Sequence, residues 1–200
     1  MSYSISWLAC RSETAADVRR AIGCEATGEL GSYPAHPLVG RTLPGGWHVL
    51  IANRCDHKLT SHQVLGLTSK ISDVTSCNIE EHVMYSASSY WTGGEEVWAV
   101  KHQGDDGVSD LRVTGTPPDE LQRLRQIATE KQAAEADGRY SVDWFFEVPC
   151  ELAKQVSGFR HDEQRDDEVK DNVEIPRFEI LRIVEGGLLA KLSKPWWRFW

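Results

Sequence analysis

The sequence predicts an α+β fold, an antiparallel β-sheet with helices packed on one face, and three observations carry that prediction. Runs rich in aromatic and β-branched residues at 73–91, 95–103 and 109–115 are separated by Gly93-Gly94 and by "GDDG" at 104–107. Such pairs between strand-like runs are hairpin signals, so the middle of the chain is expected to form an antiparallel meander. Helical periodicity is confined to a few segments, the clearest lying at 116–138. Two hundred residues, 40% hydrophobic and 26% charged, suit one domain able to bury a full core.

Taken in order, "SYSISWLAC" near the start is a strand by its alternation, with Ile5 and Trp7 on one face. "SETAADVRRAIG" is a short helix: Ser12 or Thr14 can cap it, Asp17 lies early, Ala15, Val18 and Ile22 repeat at helical spacing, and Gly23 stops it. Residues 24–46 carry Gly and Pro throughout and are expected to be mostly loop. "WHVLIAN" is a buried strand, while "LTSHQVLGLTS" is ambiguous between a short helix and a turn with a strand. In "EVWAVKH", Val97, Ala99 and Lys101 alternate with Trp98, Val100 and His102, so both faces of this strand are expected to be partly covered.

For the helix at 116–138, Thr116 caps, Pro117 takes the first helical position, Asp119 completes a capping-box pattern and Gly138 closes the far end. Leu121, Leu124, Ile127 and Ala128 form its apolar stripe. "YSVDWFFEV" is a further strand, and "PCELAKQVSG" a helix opened by Pro149 and closed by Gly158. The resulting organisation is a single domain over 1–160, an acidic loop or linker over 161–174, and a C-terminal segment over 175–200 that packs back on the domain.

The formal charge of −8 excludes a broad basic face for nucleic acid and favours a basic protein partner. Residues 161–174 hold seven acids against two bases, which makes Asp162, Glu163, Asp166, Asp167, Glu168 and Asp171 the candidate docking strip. The end of the chain, "KPWWRFW", combines Trp196, Trp197 and Trp200 with Arg198. Trp and Arg are favoured at contact hot spots, so Trp200 joins the partner-binding candidates, with a second copy of the chain as an alternative occupant. The same composition suits a membrane surface, the alternative for a peripheral protein. No apolar run is long enough to span a bilayer, and the N-terminus lacks the basic start and apolar stretch of a signal peptide. Five scattered cysteines without a C-x-x-C pair indicate a reducing compartment, the cytoplasm.

Catalytic signatures are missing: there is no P-loop, G-x-G-x-x-G, G-x-S-x-G or H-E-x-x-H. The chain is therefore expected to be a non-enzymatic interaction protein, in its most specific form an immunity-type inhibitor that covers a basic toxin or nuclease. The enzymatic alternative draws on His48, Cys55, His57, His62 and His82, in a pocket between the sheet and residues 24–46. His57 and His62 are five apart, which misses one helical face, so neither a metal nor a cofactor is expected. Cys150, at the start of a short helix, is the thiol whose pKa a helix dipole could lower; a buried, inert thiol is the commoner arrangement there.

The tail generates a first prediction. If Trp196 and Trp197 pack on the body, deleting residues 195–200 lowers the melting temperature by several degrees, since about 3–5 kcal/mol accompanies each large aromatic removed from a packed site. An unchanged melting temperature with loss of a partner or of lipid binding makes the tail a contact element instead.

Overall fold

A computed structural model describes residues 2–31, 35–135, 142–163 and 178–193. Asp166, Asp167, Glu168 and Asp171 of the acidic run lie outside the described residues, as do Gly138, Trp196, Trp197, Arg198 and Trp200. Nine strands form one antiparallel sheet: β1 (Ser4–Arg11), β2 (Cys24–Gly31), β3 (Leu38–Thr42), β4 (Trp47–Ala52), β5 (Val74–Glu80), β6 (Tyr85–Thr92), β7 (Glu95–Gln103), β8 (Arg112–Gly115) and β9 (Phe178–Ile183). Their order across the sheet is β2-β9-β3-β4-β1-β5-β6-β7-β8. The helices are α1 (Ala15–Ile22), α2 (His62–Thr68), α3 (Glu120–Ala134), α4 (Glu147–Ser157) and α5 (Leu188–Ser193).

The α+β class and the meander are as expected: β5, β6, β7 and β8 are neighbours in chain order, turned at Gly93-Gly94 and at 104–107. The helices, however, are divided between the two faces of the sheet. Ile5, Trp7, Val49, Ile51 and Cys77 pack with Phe146, Cys150, Ala153 and Phe159 on the α4 side. Leu8, Cys10, Leu50 and Val74 pack with Val18 and Ile22 of α1, Val64 and Leu65 of α2, and Leu189 of α5 on the other. The reason lies in the central strands: all six residues of β4, and Ile5 through Cys10 of β1, are buried, so neither side can be left to water. A third cluster joins Trp98 and Val100 of β7 to Leu121, Leu124 and Ala128 of α3.

Three local expectations are corrected. Residues 24–46 contain β2 and β3 rather than loop, because β9 pairs with β2 and β4 pairs with β3 along its length, supplying hydrogen bonds that local composition does not forecast. Gly28, at a φ of 86°, absorbs the irregularity in the β2–β9 register. Residues 142–146 form a turn rather than a strand: the Asp143 carboxylate accepts the N–H groups of Phe145 (3.1 Å) and Phe146 (3.2 Å), and α4 starts at Glu147, ahead of Pro149. Helix α3 starts at Glu120, later than Thr116 and Pro117 imply, because a residue followed by proline is held away from helical geometry and Pro117 precedes Pro118. The stop signals held: Gly23 and Gly158 cap α1 and α4 in the left-handed conformation.

Among the described residues, no helix is long and apolar enough to cross a membrane.

Gly23 also marks a close backbone crossing. Its carbonyl accepts the N–H of Val184 (2.9 Å), and a Cβ on Gly23 would come within 2.5 Å of the Gly187 Cα. Gly23→Ala is therefore expected to cost more than about 1 kcal/mol, combining left-handed strain with displacement of the turn before α5. Urea unfolding checks this; a variant as stable as the parent rules out the crossing.

Candidate functional site

The strand register aligns one end of the sheet. Ser4 lies opposite Glu80, Glu80 opposite Tyr85, and Tyr85 opposite Gln103. Three connections join this edge. The 53–57 loop follows β4 and ties in through the Cys55 N–H on the Ser4 hydroxyl (3.3 Å). The 81–83 turn ties in through the Glu81 carboxylate, which accepts the Tyr3 N–H (2.8 Å). The 104–110 connection follows β7 directly. Carboxylates collect here: Asp56, Glu80, Glu81, Asp105, Asp106 and Asp110. Several have local counterions, with Arg54 on Asp56 (2.8 Å) and Arg112 on Asp106 (2.7 Å). Between these elements lies a cavity of about 300 Å³ lined by Ser4, Cys55, Asp56, Glu80, Val83, Tyr85 and Gln103.

Beside this end, the segment 159–163 brings the chain off α4 and past Tyr3, whose ring meets His161 edge-on at 4.9 Å. Arg160, with only 12% of its side chain exposed, faces three carboxylates. It grips Asp162 with two hydrogen bonds (2.7 and 2.9 Å) and also bonds the half-buried Glu147 and Glu151 of α4. Burial opposes the charge on Arg160, but the hydrogen bond to Asp162 and the surrounding carboxylates overcome it and raise its pKa. For Asp162, burial pushes up while the Arg160 hydrogen bond and nearby positive charge pull further down, so its carboxyl sits below the ordinary range. Glu147 goes the other way, because burial outweighs Arg160 there. Glu163 pairs with Lys154 at 2.6 Å. The two described members of the acidic strip, Asp162 and Glu163, are thus already held by the protein's own cations.

The five residues of the enzymatic alternative serve separate local tasks. His48 is buried near the start of β4, its Nδ1 hydrogen-bonded to Thr42 Oγ1 (2.9 Å), and burial pushes its pKa down to about 4. Cys55 and His57 lie beyond the far end of the same strand. Burial pushes the Cys55 thiol up to about 11. His57 Nδ1 accepts the Leu59 N–H (3.1 Å), and burial followed by the charge of Arg54 lowers its pKa. His62 is exposed and meets Trp91 edge-on at 5.2 Å; His82 is exposed in the 81–83 turn. Cys150 lies in the first half of α4, 2% exposed, and its pKa is raised by contact with the Cys77 thiol and by burial, so it is an inert thiol rather than a dipole-activated one. Among the described residues, no three His, Cys, Asp or Glu side chains gather to hold a metal.

Sequence reasoning missed a His–Asp pair with catalytic-type spacing. His102 Nε2 lies 2.8 Å from Asp143 Oδ2, and its Nδ1 lies 2.6 Å from the Asp110 carbonyl. With both nitrogens engaged and the ring fully buried, His102 has no lone pair to offer a substrate, so this pair does not supply a general base. The position of His102 on the same strand face as Trp98 and Val100 was the available signal. Asp143 was hidden inside a segment that resembles a strand.

Compared with models of known families, with curated proteins and with solved structures, the chain matches none.

Replacing Arg160 by alanine leaves Glu147, Glu151 and Asp162 facing one another without their shared cation. The expected cost is about 2–3 kcal/mol at neutral pH, between the values for exposed and buried pairs. Asp162 titrates below the ordinary aspartate value, so its contribution is complete above that value and fades as pH falls through the depressed one. The parent and Arg160→Ala should therefore converge in stability toward acid pH. Denaturant titrations across pH test this; a gap that stays constant rejects the carboxylate account.

Proposed function

We propose that this chain is a non-enzymatic interaction protein that captures a basic protein partner through the carboxylate-rich end of its sheet. The observation carrying this reading is the alignment of Ser4, Glu80, Tyr85 and Gln103, which brings Asp56, Glu80, Glu81, Asp105 and Asp106 to one edge. In sequence, Asp162 and Glu163 are followed by Asp166, Asp167, Glu168 and Asp171, which add to the acid content available to a basic partner. Asp162 and Glu163, the first two acids of that run, are held by Arg160 and Lys154. The separate engagements of His48 with Thr42, His57 with Leu59 and His62 with Trp91 support the non-enzymatic side of the reading. In its most specific form the partner is a toxin or nuclease whose basic active site is covered. Five free thiols support a reducing compartment, the cytoplasm, as the place of action.

Complementary charge acts mainly on the rate of encounter, and that rate falls as salt screens it. Asp56 and Asp105 are exposed, so Asp56→Lys combined with Asp105→Lys reverses charge at the edge with little effect on the core. Affinity capture with parent and variant, followed by mass spectrometry, is expected to recover a basic protein with the parent alone and less of it as ionic strength rises. Capture indifferent to both the substitutions and salt defeats the proposal.

A further inference from the structure

We propose that protonated His102 is a pH-sensitive latch, fastening the 104–110 connection and the 142–146 turn onto β7 and releasing them when the ring loses its proton. The argument is one of donors and acceptors. The Asp110 carbonyl and the Asp143 carboxylate can only accept, yet they lie 2.6 Å from Nδ1 and 2.8 Å from Nε2 of the same ring. A neutral imidazole carries one N–H and leaves one of these contacts with two lone pairs facing each other. The imidazolium satisfies both. The other oxygen of Asp143 accepts two backbone N–H groups, from Phe145 and Phe146, which fixes the side chain in place. His102 itself has no exposed surface, so water cannot replace a lost partner without movement.

The surroundings favour the cation. Asp110 meets the ring through its carbonyl, and its carboxylate is 3.6 Å from Arg112 of β8, which also holds Asp106 at 2.7 Å. The nearest positive charge in the set is thus already matched by two carboxylates. From β6, the residue opposite His102 is Ser86, a neutral hydroxyl that donates to the Phe146 carbonyl (2.7 Å). From the connection, Gly104 lies against Asp143, where a Cβ would come within 3.3 Å of Oδ2. Lys101 and Gln103, adjacent on β7, point to the opposite face. Burial alone would lower the His102 pKa, but hydrogen bonds to Asp143 and to the Asp110 carbonyl, with the charge of both carboxylates, carry it above the ordinary histidine value.

The direction of the effect follows. A group whose pKa is raised on folding stabilises fully below its unfolded value and loses that contribution as pH rises through the folded value. The latch is closed while the ring is protonated and opens as pH rises through its raised folded value. Nitrogen-15 NMR of the full chain is expected to show both His102 ring nitrogens protonated at pH 6.5 and titrating above it. Over the same interval, amides at 104–112 and 142–146 should lose protection, relative to those of β1 and β4, by at most about tenfold per pH unit. His102→Gln should remove that step. If the variant does not fold, the parent titration decides alone. A ring that is neutral at pH 6.5, or one that titrates while exchange at 104–112 keeps pace with β1 and β4, overturns the proposal.

Discussion

Everything in this fold answers to the absence of a solvent side on its central strands. Antiparallel sheets commonly keep one face wet, and their strands then alternate between apolar and polar residues. Here β1 and β4 are buried on both sides, so two helical layers are required instead of one. One layer is assembled from short pieces, α1, α2 and α5, drawn from three parts of the chain. The other depends on α4 and on Phe159, whose ring meets Trp7 edge-on at 5.2 Å. Connections between layers must pass around the ends of the sheet, and polar groups unable to enter either layer accumulate there. The carboxylate edge is a by-product of that routing before it is anything else.

Both concentrated charge sites flank α4. His102 and Asp143 hold the turn that leads into it, while Arg160 straps its Glu147 and Glu151 from the segment that leaves it. Partly buried charges of this kind add little net stability compared with well-packed apolar groups, but an unmatched one is costly. Their effect is to penalise misplacement. Helix α4, whose Cys150 and Ala153 pack in one cluster with Cys77 and Ile79, is thereby held at both ends.

Much of the fold was legible because local chemistry and tertiary structure agreed. The Gly93-Gly94 turn, the alternation in β7 and the Gly23 stop of α1 each need only a few neighbouring residues to be decided. Where they disagreed, tertiary pairing prevailed: β2 exists because β9, about 150 residues later, hydrogen-bonds to it, and β3 is held between β4 and β9. Residues 142–146 have strand-like composition, yet one side-chain carboxylate folds them into a turn. The candidate site was less legible. Acid content could be counted along 161–174, but the edge formed by Asp56, Glu80, Glu81 and Asp105 arises only when four strand ends are brought into register. The pairing of His102 with Asp143 across 41 positions has no local signature at all.

The position of β9 has a consequence for the order of assembly. It lies between β2 and β3, so two strands made early can complete their hydrogen bonding only after a strand made late arrives. The β4-β1-β5-β6-β7-β8 portion needs no such wait, because its pairings join segments within the first 115 residues. Closing the long loop that carries β9 is entropically expensive and kinetically slow. Until it closes, β3 presents an unpaired edge able to recruit strands from other nascent chains. A chain stalled on the ribosome before residue 178 would therefore carry a nearly finished sheet with its most aggregation-prone border open.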